Sequence, residues 1–359
     1  MTSKERVKIT LQHKEADRVP INFAGANMDI DRRLKEHFGL SPDDNDGLLE
    51  CLHVDFRVIE PPYTGKTIHE NVPGRNIDPL WGIRTRWIEN ESGGYWDYCD
   101  FPLRDATLEQ AKNWPMPDPD DFDYDSVLEQ CRKYKDYFIV FGNPGYGDVI
   151  NSTGMLRTME QTLIDLITDD PVGLEIMNRK VTTQSEILRR VLETAGDKID
   201  MLWIGEDLGT QKTPMVSLDV FRRHIIPLHM KNISIAKEYG LPVMIHSCGS
   251  SSWAFNDFIE MGIDVVDTLQ PEAANMSPEY LKKTFGEKLC FNGCISTAGA
   301  MAYGTTDEAA QSVKDVLDVM MPGGGYIMAP THSIQDNSPT ENVVTVFETA
   351  YEYGKYGVG

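Results

Sequence analysis

The sequence predicts an α/β protein built as a closed (β/α)8 barrel, with an N-terminal helical extension and an inserted aromatic β-hairpin or cap. Three observations carry that prediction. Eight short strand candidates occur in the 359 residues, six of them in clean strand–helix alternation after residue 137, and such alternation builds a parallel sheet. Eight such strands in a chain of this length favour a closed barrel over an open sheet. No Gly-x-Gly-x-x-Gly follows the first strand, which argues against a dinucleotide-binding fold. The whole chain, 1–359, reads as one barrel domain with an insertion at about 63–125.

The elements follow from local pattern. Ser3 to Gln12 has Val7 and Leu11 at helical spacing. Arg18–Phe23 reads as the first strand, ended by Ala24 and Gly25, and Asp29 to His37 is helical in composition. Ser41–Gly47 is a turn or capping segment, and Phe56–Glu60 is the second strand, stopped by Pro61 and Pro62. In the insertion, Trp81–Trp87 and Gly94–Tyr98 are aromatic and β-favouring, the signature of a hairpin. Thr107-Leu-Glu-Gln110 carries a capping box, and the acidic, proline-rich Pro115–Asp125 is an exposed connector.

The alternation then becomes regular. Tyr137–Phe141 is a strand, followed by a helical region that runs from beyond Gly145 to about Gly196. Met201–Ile204 is a strand ending in Gly205-Glu-Asp207. Ser217 opens a helical pattern that Pro227 kinks and Gly240 stops. Val243–Ile245, Val265–Leu269, Leu289–Asn292 and Tyr326–Ala329 are the remaining strands. Helices at Trp253–Met261 and Pro278–Phe285 lie between them, as does one begun by the Thr305–Glu308 capping box, with Val313, Val316, Leu317 and Met320 as its buried stripe. Ser338-Pro-Thr-Glu341 is expected to cap the last helix, with proline at its first position.

Composition narrows the function classes. Lys plus Arg total 34 against 56 Asp plus Glu, a net charge of −22. A surface of that sign repels phosphate backbones, so nucleic acid is not expected as a partner. No apolar run reaches the roughly 18 residues that a membrane helix needs, and Met-Thr-Ser-Lys-Glu-Arg-Val lacks the apolar core of a signal peptide. Six scattered cysteines suit a reducing, cytoplasmic setting with free or metal-binding thiols, and Cys51, Cys99, Cys131 and Cys290 read as structural.

Chemistry-bearing residues collect where strands end. In a barrel of this class the functional groups gather at the C-terminal face. Here those positions hold Asn143, Glu206 and Asp207, His246 and Cys248, Gln270, Cys294, and Thr331 with His332. Residues two apart on a strand share a face, so His246 and Cys248 project together and suit a borderline metal such as zinc. His332 supplies a third ligand, with Cys294 or Glu206 available as third or fourth. Glu206 and Asp207 alternatively cap the following helix, and His332 alternatively hydrogen-bonds an anionic substrate.

With these residues in view, the chain resembles the uroporphyrinogen decarboxylase superfamily, and more closely its branch of cobamide-dependent methyltransferases. The resemblance rests on Ser3–Arg6 with His13–Pro20, Trp81-Gly82, Glu206-Asp-Leu-Gly-Thr-Gln211, His246-Ser-Cys-Gly249 and Ala329-Pro-Thr-His-Ser-Ile-Gln335. The family fold is a (β/α)8 barrel. In the methyltransferase branch a His-x-Cys pair and a later cysteine bind zinc, which implies His246 and Cys248 as ligands. The later cysteine falls on His332, a departure that keeps a nitrogen ligand and coincides with a histidine of the true decarboxylases.

The arginine-rich N-terminal signature of those decarboxylases is absent from Phe23–Arg33. The resemblance therefore implies a zinc-dependent methyltransferase that moves a methyl group between a small molecule and a corrinoid, carried by a partner protein. Glu206, Asp207 and His332 are the expected catalytic groups, with Asn143, Gln211 and Gln270 expected at the cofactor. The metal ligands are expected from His246, Cys248, His332 and Cys294. A metal-free lyase on a smaller carboxylated substrate and a non-catalytic corrinoid- or tetrapyrrole-binding protein are the alternatives. A homodimer is expected because relatives often dimerise.

Overall fold

In the computed structural model, which describes residues 1–90 and 93–357, the predicted barrel is present. Its strands are β1 (Phe56–Ile59), then, after the insertion strands β2 (Asn76–Ile77), β3 (Arg84–Asn90) and β4 (Gly93–Tyr98), β5 (Phe138–Gly142), β6 (Met201–Gly205), β7 (Val243–His246), β8 (Val265–Thr268), β9 (Cys290–Ile295) and β10 (Tyr326–Pro330). The parallel sheet runs β1-β5-β6-β7-β8-β9-β10. Strands β5, β6, β8, β9 and β10 are buried along their whole length. That is why they read as continuous apolar runs and not as alternating ones.

The first predicted strand is corrected. Arg18–Phe23 forms no ladder; Ile21 makes a single parallel bridge to Met328 of β10. It nevertheless closes the barrel. Asn22 N–H donates to Met328 O at 2.8 Å, Met328 N–H to Pro20 O at 2.9 Å, and Asp55 N–H to Ile21 O at 2.8 Å. Pro20 has no N–H to offer, and the Ile21 N–H goes to the Asp55 carboxylate at 2.8 Å, so pairing stops after one residue. Side chains hold the seam in place of a ladder. Buried Asp55 binds Arg6 at 2.7 Å and Arg18 at 2.9 Å, and Ser3 Oγ at 2.7 Å.

The helices refine the sequence reading. The region to Gly196 is three helices, Ile150–Arg157, Met159–Thr168 and Pro171–Ala195. Thr158, at φ +76°, separates the first two, and Asp170 caps the third with Pro171 at its first turn. Ser217 caps its helix as expected, but Phe221–Ile225 is wound as a π-turn before Ile226–Glu238 begins with Pro227. A proline without an N–H leaves the preceding turn free to widen. The capping boxes at Thr107 and Thr305 both form. The last helix differs: its cap is Pro339, the helix is Thr340–Tyr353, and the Ser338 hydroxyl is buried without a partner.

In the insertion, β2, β3 and β4 form a small antiparallel sheet in which Trp87 faces Trp96. The predicted hairpin is therefore present, while residues 91–92 lie outside the described residues. Among the described residues no helix is long and apolar enough to cross a membrane.

Candidate active site

Register brings the chemistry together. Gly205 pairs with His246, His246 with Asp267, and Asp267 with Asn292, so the ends of β6, β7, β8 and β9 stand level. His246 Nδ1 lies 2.7 Å from Asp267 Oδ2. The other Asp267 oxygen accepts from Asn292 Nδ2, and Asn22 Nδ2 donates to Asn292 Oδ1 at 3.2 Å. This buried chain holds the imidazole in one orientation and commits Nδ1, leaving Nε2 for the cavity.

Nε2 lies 3.2 Å from Cys248 Sγ and 3.8 Å from Asp207 Oδ1. The donor atoms of Asp207, His246 and Cys248 all fall within 4.8 Å of one another. Asp207 is itself oriented, accepting from the Cys248 N–H at 2.8 Å and from Asn151 Nδ2 at 2.8 Å. Gly249 allows the turn that carries Cys248. Its φ is +70°, and a Cβ there would lie 2.2 Å from Gly209 O.

Burial opposes a charge on His246, but its hydrogen bonds to Asp267 and Cys248 prevail and hold its pKa well above the ordinary imidazole value. Burial pushes the Cys248 thiol up against the pull of His246. One imidazole nitrogen, one thiol and one carboxylate, with the histidine's second nitrogen tied to a carboxylate, make a donor set that fits zinc.

Asp207 and His246 of the trio line a cavity of about 720 Å³. His246, Asp207 and His332 line it from the barrel, with Asn143, Asp148, Asn151, Lys180 and Gln184; Asp78, Trp81 and Tyr98 line it from the insertion. The insertion thus lies over the barrel mouth. Trp87 and Trp96 do not line the cavity; they form an exposed edge-to-face pair with ring centroids 5.5 Å apart.

The other expected residues separate. Glu206 is fully buried behind the trio, where its carboxyl accepts from Val149 and Ile150 N–H, both at 3.0 Å, and meets His229 Nε2 at 2.9 Å. Burial raises its pKa to about 8, although the two N–H groups pull the other way. The sequence's alternative role for it, capping the helix that follows, is corrected: those N–H groups open the Ile150–Arg157 helix, which precedes it in the chain. His332 is exposed on the cavity wall, outside the trio, with Nδ1 3.1 Å from Ser333 O. Cys294 is fully buried at φ +69° and also lies outside it. Gln211 and Gln270 hydrogen-bond each other at 3.0 Å away from the cavity, while Asn143 lines it and accepts from Gly145 N–H at 2.9 Å.

Sequence reasoning missed Asp267, Asn151, Asp148 and Lys180. Two of them left a signal. Asp267 is a carboxylate inside the apolar run Val265-Val-Asp-Thr, and Lys180 interrupts the buried stripe Ile176, Met177, Val181, Leu188 of its helix.

The model of the uroporphyrinogen decarboxylase (URO-D) family matches residues 150–353. Among solved structures, a methyltransferase from Methanosarcina mazei superposes with a TM-score of 0.64 at 17% identity, covering 98% of this chain and 99% of its own. A β-glycosidase from Thermosphaera aggregans gives 0.44 at 12% identity, over 96% and 98% of the two chains. An endo-β-1,4-xylanase from Gloeophyllum trabeum gives 0.41 at 10%, over 65% and 82%. No curated protein matches the chain.

Proposed function

The chain belongs to the uroporphyrinogen decarboxylase (URO-D) family, and on that premise we propose that it is a zinc-dependent methyltransferase, moving a methyl group between a small-molecule substrate and a corrinoid carried by a partner protein. The observation that carries the reading is the trio Asp207, His246 and Cys248, two of whose members line the cavity at the barrel mouth. The full-length likeness to the Methanosarcina mazei methyltransferase fold agrees with it. The absence of the arginine-rich decarboxylase signature, in a chain of net charge −22, weighs against a polyanionic porphyrinogen.

Zinc held by these three side chains supplies a Lewis acid that favours the thiolate form of a bound thiol or polarises a methyl-bearing heteroatom. The protein's own part is positional. Asp267 fixes the tautomer and tilt of His246, and Asn151 with the Cys248 N–H fixes Asp207. Trp81 and Tyr98 cover the mouth and restrict water around the reacting group. His332, on the same wall and free of the trio, is placed to hydrogen-bond the substrate or move a proton to it.

Metal analysis of the purified protein tests this directly. About one zinc per chain is expected in the wild type and a large loss in a His246→Ala, Cys248→Ser double variant. A wild type that takes up no zinc on reconstitution sinks the proposal. Spectral titration with methylcobalamin, with and without a thiol acceptor, then separates corrinoid binding from turnover.

A further inference from the structure

The cavity wall opposite in character to the metal trio carries one cation that the protein does not use. Lys180 lies on the Pro171–Ala195 helix, is only 6% exposed, and lines the cavity. Its Nζ makes no hydrogen bond or ion pair among the described residues, and it stands over the Trp81 ring, 5.4 Å from the centroid. The comparison within the chain is Lys35, equally buried at 3%, whose Nζ is fully paired with Asp31 at 2.8 Å, Asn45 at 2.6 Å and Pro42 O at 2.8 Å. A buried ammonium without partners costs several kcal/mol, and such a group facing a cavity points to a ligand.

The acidic groups around the cavity do not satisfy it. Asp207 is committed to Cys248 and Asn151. One Asp78 oxygen caps the turn at Leu80 and Trp81, accepting at 3.0 and 2.6 Å. Asp148 accepts from Ser152 N–H at 2.7 Å and forms no ion pair with Lys180; burial beside Glu206 raises its pKa to about 8 against the pull of Lys180, and burial likewise lowers the Lys180 pKa against the pull of Asp148. The remaining lining, including Ile59, Leu80, Trp81, Tyr98, Phe141 and Met155, is largely apolar or aromatic.

We propose that Lys180 anchors a carboxylate of the substrate, so that the cavity takes a small, mostly apolar carboxylic acid held at one end by Lys180. This deepens the reading of the cavity as the substrate site and rests on it. The recognition itself needs neither metal nor corrinoid, which keeps the two separable.

The test is calorimetry with matched fragments: benzoate and hexanoate, their neutral amides, and phenyltrimethylammonium. Wild type is expected to bind the carboxylates about tenfold or more tightly than the amides, the value of one charge-assisted hydrogen bond. Lys180→Met is expected to lose that preference while keeping its circular dichroism, and the His246→Ala, Cys248→Ser variant to retain it. Retention in a metal-free variant supports the anchor even if methyl transfer fails. The proposal is overturned if the amides or the quaternary ammonium bind as well as the carboxylates, if no carboxylate binds, or if folded Lys180→Met keeps the preference. Should Lys180→Met not fold, the carboxylate–amide comparison in wild type decides alone.

Discussion

At the scale of single residues, the site depends on side chains that hold other side chains. Asp267 touches no cavity, yet it decides which nitrogen of His246 is offered. Asp267→Asn keeps the shape and removes the charge, so zinc affinity is expected to fall about 10- to 100-fold, read by competition with a chromophoric chelator, with little change in secondary structure. His229 belongs to the same scale. It is fully buried, and burial lowers its pKa to about 4 from the usual 6.5. The unfolded chain therefore binds a proton that the folded chain refuses, and this contribution is complete above pH 6.5 and lost as pH falls toward 4. The loss amounts to about 3 kcal/mol. Glu206 and Asp148, with pKa values raised to about 8, act in the opposite direction over the same range. The check is therefore the difference between the wild-type and His229→Gln urea-unfolding profiles from pH 7 to 4: the variant is expected to gain stability relative to wild type as pH falls, at some cost at pH 7.

At the scale of elements, the barrel is closed by a seam and not by a full strand. Ile21 gives one bridge, and Asp55 joins the gap through Arg6 and Arg18. Asp55→Ala leaves the buried Arg18 guanidinium without a carboxylate, Arg6 keeping its pair with Asp17, and is expected to cost about 3–5 kcal/mol, measured by chemical denaturation. A helix cap is a smaller matter: Thr305→Ala removes one half of a capping box that forms as the sequence implies, for about 1 kcal/mol. The elements most legible beforehand were those with local causes, such as the two capping boxes and the buried parallel strands. Arg18–Phe23 misled because its alternating apolar pattern is that of a strand, while the identity of its partners, Met328 and Asp55, lies far along the chain.

At the scale of the whole molecule, the insertion and the barrel act as lid and floor. Asp78, Trp81 and Tyr98 reach the same cavity as His246 and His332, although about 230 to 250 residues of chain separate Tyr98 from His332 and Asp78 from His332. Truncating Trp81 to alanine is expected to open the cavity to water and weaken binding of apolar fragments by about 2–4 kcal/mol, measured by the same calorimetry. Zinc content is expected to be unchanged, since Trp81 is no part of the trio.

The sequence by itself determined the barrel class, the level at which functional groups collect, and the His246–Cys248 pair, because strand periodicity and the C-terminal rim are consequences of local pattern and chain connectivity. Tertiary structure alone decided which rim residues meet. Asp207, and neither His332 nor Cys294, stands beside the pair, and Lys180 faces the cavity unpaired. Those outcomes depend on sheet register, on the positive φ of Gly249 and Cys294, and on side-chain directions set by distant neighbours. No local pattern in the chain encodes them.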